Sequence, residues 1–238
     1  MDLIILALIV LGAIILFIAT RFVGKVIGLA VKIMILIILV LVILTVIVYK
    51  DMDSLRNGFA DENNTFFLYE NSKLYAAVTL KPMTSINLSI DSFKYFTKEE
   101  INQSEGELNN KNYAVLLGNN YRIFLFKPVV INKPYNLDLL IELNEGDLLN
   151  IIMSDDPFLM LAEKTQEKYN LSAEDLKAGF KDFYETDEKF KGYLFAALLS
   201  NYFQKQSPGE LTVNIKDKKI QVYPESISFK IIKYLPWV

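Results

Sequence analysis

Two charge-free apolar runs open the chain, Leu3–Ala19 and Ile33–Val48. Neither alternates with the period of two of a half-buried strand, and neither carries the polar face of an amphipathic helix. A helix that is apolar all round belongs in lipid or deep inside a large core. The runs hold 17 and 16 residues. At about 1.5 Å per residue each covers roughly 25 Å, and a few flanking residues bring that to the thickness of a bilayer core. The pattern predicts a transmembrane hairpin with spans at about residues 3–20 and 30–49 and a connector over 20–32. A cleaved leader would need a cation ahead of its apolar stretch, and here only Met1 and Asp2 precede it.

The connector carries Arg21, Lys25 and Lys32. On a helical wheel these three and the glycines Gly24 and Gly28 fall within roughly 100° of one another, with Val23, Val26, Ile27 and Ala30 opposite. Such a segment could lie in the membrane interface, where its cations meet lipid head groups; the plainer alternative, slightly preferred, is a tight turn at the glycines with cations that only set topology. By the excess of Lys and Arg, the connector is expected on the cytoplasmic side and both termini outside.

Residues 51–64 are polar and read as a linker. The period then changes to two. Thr65–Glu70 and Lys73–Lys81 flank Asn71-Ser72 and predict a β-hairpin, with Leu74, Ala76, Val78 and Leu80 on one face. Ser85–Ile90 alternates weakly. Thr97 is placed to cap a short helix that begins at Lys98. Tyr113–Leu117 and Tyr121–Lys127, separated by Gly118-Asn119-Asn120, predict a second hairpin, and Leu137–Leu143 a further strand. From Asp147 the apolar residues come in helical pairs. Asp156 before Pro157 marks the start of a helix over Pro157–Tyr169, Ser172 the start of the next, and Asp187 that of a longer one over Glu188–Gln204. Leu211–Ile215 and Lys219–Tyr223 alternate again and predict a third hairpin, with Ser226–Tyr234 as a last strand. The expected fold class is α+β: a two-helix anchor, then a soluble domain over residues 65–238 with a mainly antiparallel sheet and a helical insert. The domain is expected to be strand-rich over 65–143, helical over 145–206 and strand-rich again over 210–235.

Composition narrows the chemistry. There is no Cys and no His. That removes disulfides, thiol and Ser-His-Asp mechanisms, Cys/His zinc sites and the usual general base near neutral pH. From Asp51 onward 27 acids face 21 bases, so the domain is acidic and nucleic acid is not an expected partner. No phosphate-binding glycine loop, metalloprotease or hydrolase motif is present. No cofactor or metal is expected.

The carboxylates that could divide acid and base roles are Glu142, Asp155 and Asp156, the last two beside Pro157, where helix capping explains them without function. Asn63, Asn87, Asn102 and Asn170 open N-x-Ser/Thr sequons that would be modified only outside the cytoplasm. The expected role is a membrane-anchored binding or assembly protein of the cell envelope. Its expected partners are the lipid bilayer and another protein, with a homo-oligomer left open. Two alternatives stand beside it: a membrane-tethered hydrolase using carboxylates, and lipid or ion handling by oligomerised hairpins.

Overall fold

The computed structural model describes residues 9–15, 32–43, 45–47, 49–51, 62–80, 93–132, 145–205 and 208–232. The chain divides into two units, Met1–Met52 and Asp53–Val238.

In the first unit residues 9–15 are helical (α1), and a second helix, α2, runs over Lys32–Asp51. α2 has 20 residues, and its most apolar window has a mean hydropathy of 3.1 with none of it buried. At about 1.5 Å per residue it reaches roughly 30 Å, so it is long and apolar enough to cross a membrane. Its Thr45 hydroxyl donates to the Leu41 carbonyl at 2.8 Å, which satisfies that polar group inside the helix. The rest of the first apolar run, and the connector with Arg21 and Lys25, lie outside the described residues, as do Ser85–Ile90 and Leu137–Leu143.

The second unit is built on a five-stranded mixed sheet in the order β3-β2-β1-β4-β5. β1 (Asn64–Glu70) and β2 (Lys73–Leu80) form the expected hairpin. Asn71 and Ser72 take φ of 52° and 64°, the left-handed pair that matches strand twist in a two-residue turn. A bulge between Leu68 and Tyr69 shifts the register near the turn. β3 (Lys94–Tyr95) adds two residues at the edge of β2. β4 (Arg122–Phe126) pairs parallel to β1, and β5 (Ile220–Tyr223) antiparallel to β4.

The parallel pair replaces the expected second hairpin. Tyr113–Leu117 is a short helix, α4, closed by Gly118 at φ 50°. A five-residue apolar run has no period long enough to separate helix from strand. The Tyr121 amide donates to the Asn63 carbonyl at 2.8 Å, where β4 begins to run alongside β1. The C-terminal stretch is also corrected. Leu211–Ile215 lies in α10 (Pro208–Lys216), which starts on proline and has Glu210 in its first turn and Lys216 in its last, in accord with the helix dipole. Ile215 is buried and Val213 is not. Ser226–Tyr234 likewise contains a helix, α11 (Ile227–Ile232), whose Phe229 amide donates to the Ser226 hydroxyl at 3.3 Å.

Both faces of the sheet are covered. Phe66, Leu68, Phe124 and Phe126 face one side, under α5 (Pro128–Ile131), α6 (Glu145–Met153), α7 (Pro157–Tyr169) and α9 (Asp187–Lys205). α8 (Ala173–Tyr184) completes that side, packing on α7 and α9. Phe67, Ile123 and Leu125 face the other side, under α3 (Lys98–Asn109) and α4. Strands covered on both faces read as nearly continuous apolar runs, as β1 and β4 do.

α9 is central as its composition predicts. Phe190, Leu194, Phe195, Leu198 and Tyr202 are all buried, and the Tyr202 hydroxyl accepts from the Asn214 side chain of α10 at 3.0 Å. Its cap is Thr186, one residue before the expected Asp187: the Thr186 hydroxyl accepts from the Lys189 amide at 3.2 Å. At the start of β4, buried Arg122 donates to the Pro224 carbonyl and lies 4.8 Å above the Tyr121 ring.

Gly192 brings α9 close against the sheet. A Cβ there would stand 3.2 Å from Tyr95 Cβ and 3.4 Å from Val78 Cγ1, whereas one at Gly179 on α8 would meet nothing within 4 Å. Gly192→Val is expected to cost about 1–3 kcal/mol by overpacking. Gly179→Ala is expected to add up to about 1 kcal/mol of helix propensity. Urea unfolding of the full chain in micelles, followed by near-ultraviolet circular dichroism, reads both. A neutral Gly192→Val would contradict the close contact.

Candidate functional site

α3 carries two stripes. Ile101 and Leu108 pack on the sheet. The Glu105 carboxylate accepts from the Leu74 amide of β2 at 2.7 Å, and Asn109 bonds both the Tyr69 hydroxyl and the Ser72 carbonyl. Those contacts pin the helix across the hairpin. The second stripe, Glu100, Gln103, Ser104 and Glu107, follows the spacing of three and four that places side chains on one helix face. It lines a cleft of about 700 Å³ with α4 and the sheet ends. That volume lies in the range of small-molecule sites. Leu80, Phe93, Phe96, Val115 and Leu116 supply apolar surface, and Asn63, Thr79, Lys94 and Asn120 supply polar groups.

The charges in the cleft have defined partners. The Glu100 carboxylate accepts from the Thr97 amide at 2.9 Å while the Thr97 hydroxyl accepts from the Glu100 amide, a complete capping box. Lys94 pairs with Glu100 at 3.1 Å and stands 5.7 Å above the Phe96 ring. The Thr97 backbone bond, helped by Lys94, holds the Glu100 carboxyl below its ordinary range. The Glu107 carboxylate accepts from the Asn112 side chain at 2.7 Å. Thr79 shares a 2.9 Å hydrogen bond with Thr65. Ser104 is only 5% exposed, and its hydroxyl has no hydrogen-bond partner among the described residues. Among the described residues of the cleft no nucleophile sits against a base. The arrangement can bind, by hydrogen bonds along one wall and apolar contact along the other.

The sequence candidates lie elsewhere. Asp155 and Asp156 occupy the turn between α6 and α7. Asp155 is 95% exposed and pairs with Lys73 of β2 at 3.1 Å. Asp156 caps α7, as its place before Pro157 predicts, accepting from the Leu159 amide at 3.0 Å, and it pairs with Lys177 of α8. The Lys177 bond is the main reason its carboxyl sits below the usual range. The two carboxylates turn to different lysines on different elements and do not converge. Half-buried Lys191 donates to the Ser154 carbonyl at 2.5 Å, and burial pushes its amine below the usual lysine range. Burial also raises nearby Asp187. Among the described residues no three metal-ligating side chains gather.

Glu142 and Asn87 lie outside the described residues. Lys32 is the exposed first residue of α2. Asn63 is exposed on the rim of the cleft and Asn102 on α3. Asn170 ends α7 in the left-handed conformation at φ 52°, and the Ser172 hydroxyl of its sequon caps α8 by accepting from the Asp175 amide. The cleft was legible only as a polar face on a helix whose apolar face was short. Comparison with protein-family models, curated proteins and solved structures found no match.

Asp156 gives a test of the turn. Its folded carboxyl lies below the unfolded value, so its contribution is present above the unfolded value and is lost as pH falls through the folded one. Asp156→Ala is expected to cost about 1 kcal/mol near pH 7, chiefly through the lost cap. Unfolding curves at stepped pH should show the gap to the parent narrowing below the ordinary carboxylate range. A gap independent of pH would contradict the ion pair.

Proposed function

We propose that the chain is a membrane-anchored binding or assembly protein of the cell envelope. Two spans hold it, the basic connector with Arg21, Lys25 and Lys32 faces the cytoplasm, and the acidic domain faces outward. The observation that carries the binding role is the α3 stripe: polar side chains at helical spacing line a cleft of about 700 Å³ with apolar surface opposite. The length and apolarity of α2 support the anchor. The carboxylate-hydrolase reading needs two converging acids, and Asp155 and Asp156 are each engaged by a different lysine. The conduit reading needs polar groups facing a lumen, and the Thr45 hydroxyl is bonded within its own helix.

Extraction and labelling test this. After alkaline carbonate treatment the full chain is expected in the membrane pellet. The parent has no cysteine, so Lys98→Cys introduces a single thiol at an exposed position. A membrane-impermeant maleimide is expected to label it in intact cells. Release by carbonate would remove the anchor from the proposal, and labelling only after permeabilisation would reverse its orientation. Turnover of ester, phosphoester or glycoside substrates that is lost in Asp156→Asn would favour the hydrolase.

A further inference from the structure

The chemistry along α3 says more about what the cleft would hold. We infer that it takes an organic cation, a primary ammonium or guanidinium on an apolar stem. This deepens the binding role proposed above and rests on it. Among the described residues three ionisable side chains line the cleft: Lys94, Glu100 and Glu107. Lys94 and Glu100 neutralise each other at 3.1 Å. Glu107 is left with a neutral partner, since only the Asn112 amide donates to it, through Oε2. Its Oε1 has no hydrogen-bond partner among the described residues. Ser104, only 5% exposed, lines the same cleft one helical turn away.

The molecule holds an internal precedent for this chemistry. Lys94 lays an ammonium between a carboxylate at 3.1 Å and the face of Phe96 at 5.7 Å. Glu107, about 10 Å further along the helix, has a carboxylate and the apolar side chains of α4 nearby but no cation of its own. An anion would meet net negative charge from the described lining residues and is disfavoured. A free polyamine and the lysine or arginine side chain of a partner segment carry the same group.

Calorimetry on the full chain in nanodiscs of neutral phosphatidylcholine separates the two sources. The probes are spermidine and a blocked tripeptide with a central lysine, with the same tripeptide acetylated on that lysine as control. Binding of spermidine alone assigns a free cation, and binding of the tripeptide assigns a side chain. Tripeptide binding supports the proposal if the acetylated control binds at least about five-fold more weakly, the scale of one exposed charge pair, and spermidine binding supports it if Glu107→Gln weakens it by as much. Glu107→Gln, which keeps an acceptor for Asn112, is expected to weaken binding about five-fold, as is Gln103→Lys on the exposed rim, and added salt should weaken it further. Binding of neither probe, tripeptide binding that the acetylated control equals, or no change in Glu107→Gln overturns the proposal. Carbonate extraction and thiol labelling would be unaffected by that failure, so the anchored, outward-facing reading would stand or fall separately.

Discussion

The second unit depends on the burial of β1. This strand is hydrogen-bonded along both edges, antiparallel to β2 and parallel to β4, and it is covered on both faces. Phe66, Phe67 and Leu68 are fully buried in succession. Each contributes roughly 1.5–3 kcal/mol relative to exposure. Successive side chains point to opposite faces, so a strand buried at every position needs a layer on each side. α9 and its neighbours supply one layer, and α3 with α4 the other. The parallel pairing adds a second requirement: the chain must cross over before β4 can run beside β1, and α3 and α4 lie on that crossover. The helices that complete the core are therefore the ones that wall the cleft.

α3 meets both demands by dividing its surface. Its apolar stripe is short and is reinforced by polar contacts, with Glu105 on the Leu74 amide and Asn109 on the hairpin turn. Glu105 also occupies a backbone donor on β2 that pairing with β3 does not reach, which blunts an open edge. Those contacts hold the helix across the hairpin, and the neighbouring stripe is polar. It keeps its carboxylates, amide and hydroxyl beside a cleft.

The charged groups at the α6–α7 turn show the opposite use of the same residue types. Asp155, Asp156, Lys177 and Lys191 join β2, α6, α7, α8 and α9 through ion pairs, a cap and a carbonyl bond. Aspartates before a proline look like chemistry in a list of motifs. In the fold they tie elements together, and a carboxylate held by a lysine and a backbone amide is stabilised in its ionised form and poorly suited to giving up or taking a proton near neutral pH.

Much of the fold was legible locally. The Asn71-Ser72 hairpin, the Thr97 cap, the Asp156-Pro157 start of α7, the Ser172 cap and the apolar α9 all follow from residues a few positions apart. Caps, turns and periods are short-range interactions, so the order of residues alone determines them. The same holds for the length and apolarity of α2. Tyr113–Leu117, Leu211–Ile215 and Ser226–Tyr234 read as strands, but runs that short carry too little period to choose. Whether an apolar pentapeptide coils or extends depends on which surface buries it, and that surface is supplied by residues far away in the chain. Tertiary structure likewise chose β1 over the preceding segment as the partner of β4. It also turned the stripe Glu100, Gln103, Ser104 and Glu107, whose spacing stands in the sequence, from an ordinary solvated helix face into the wall of a cleft. The side chains and their period belong to the chain; what lies opposite them is set only when the sheet and α4 close around the helix.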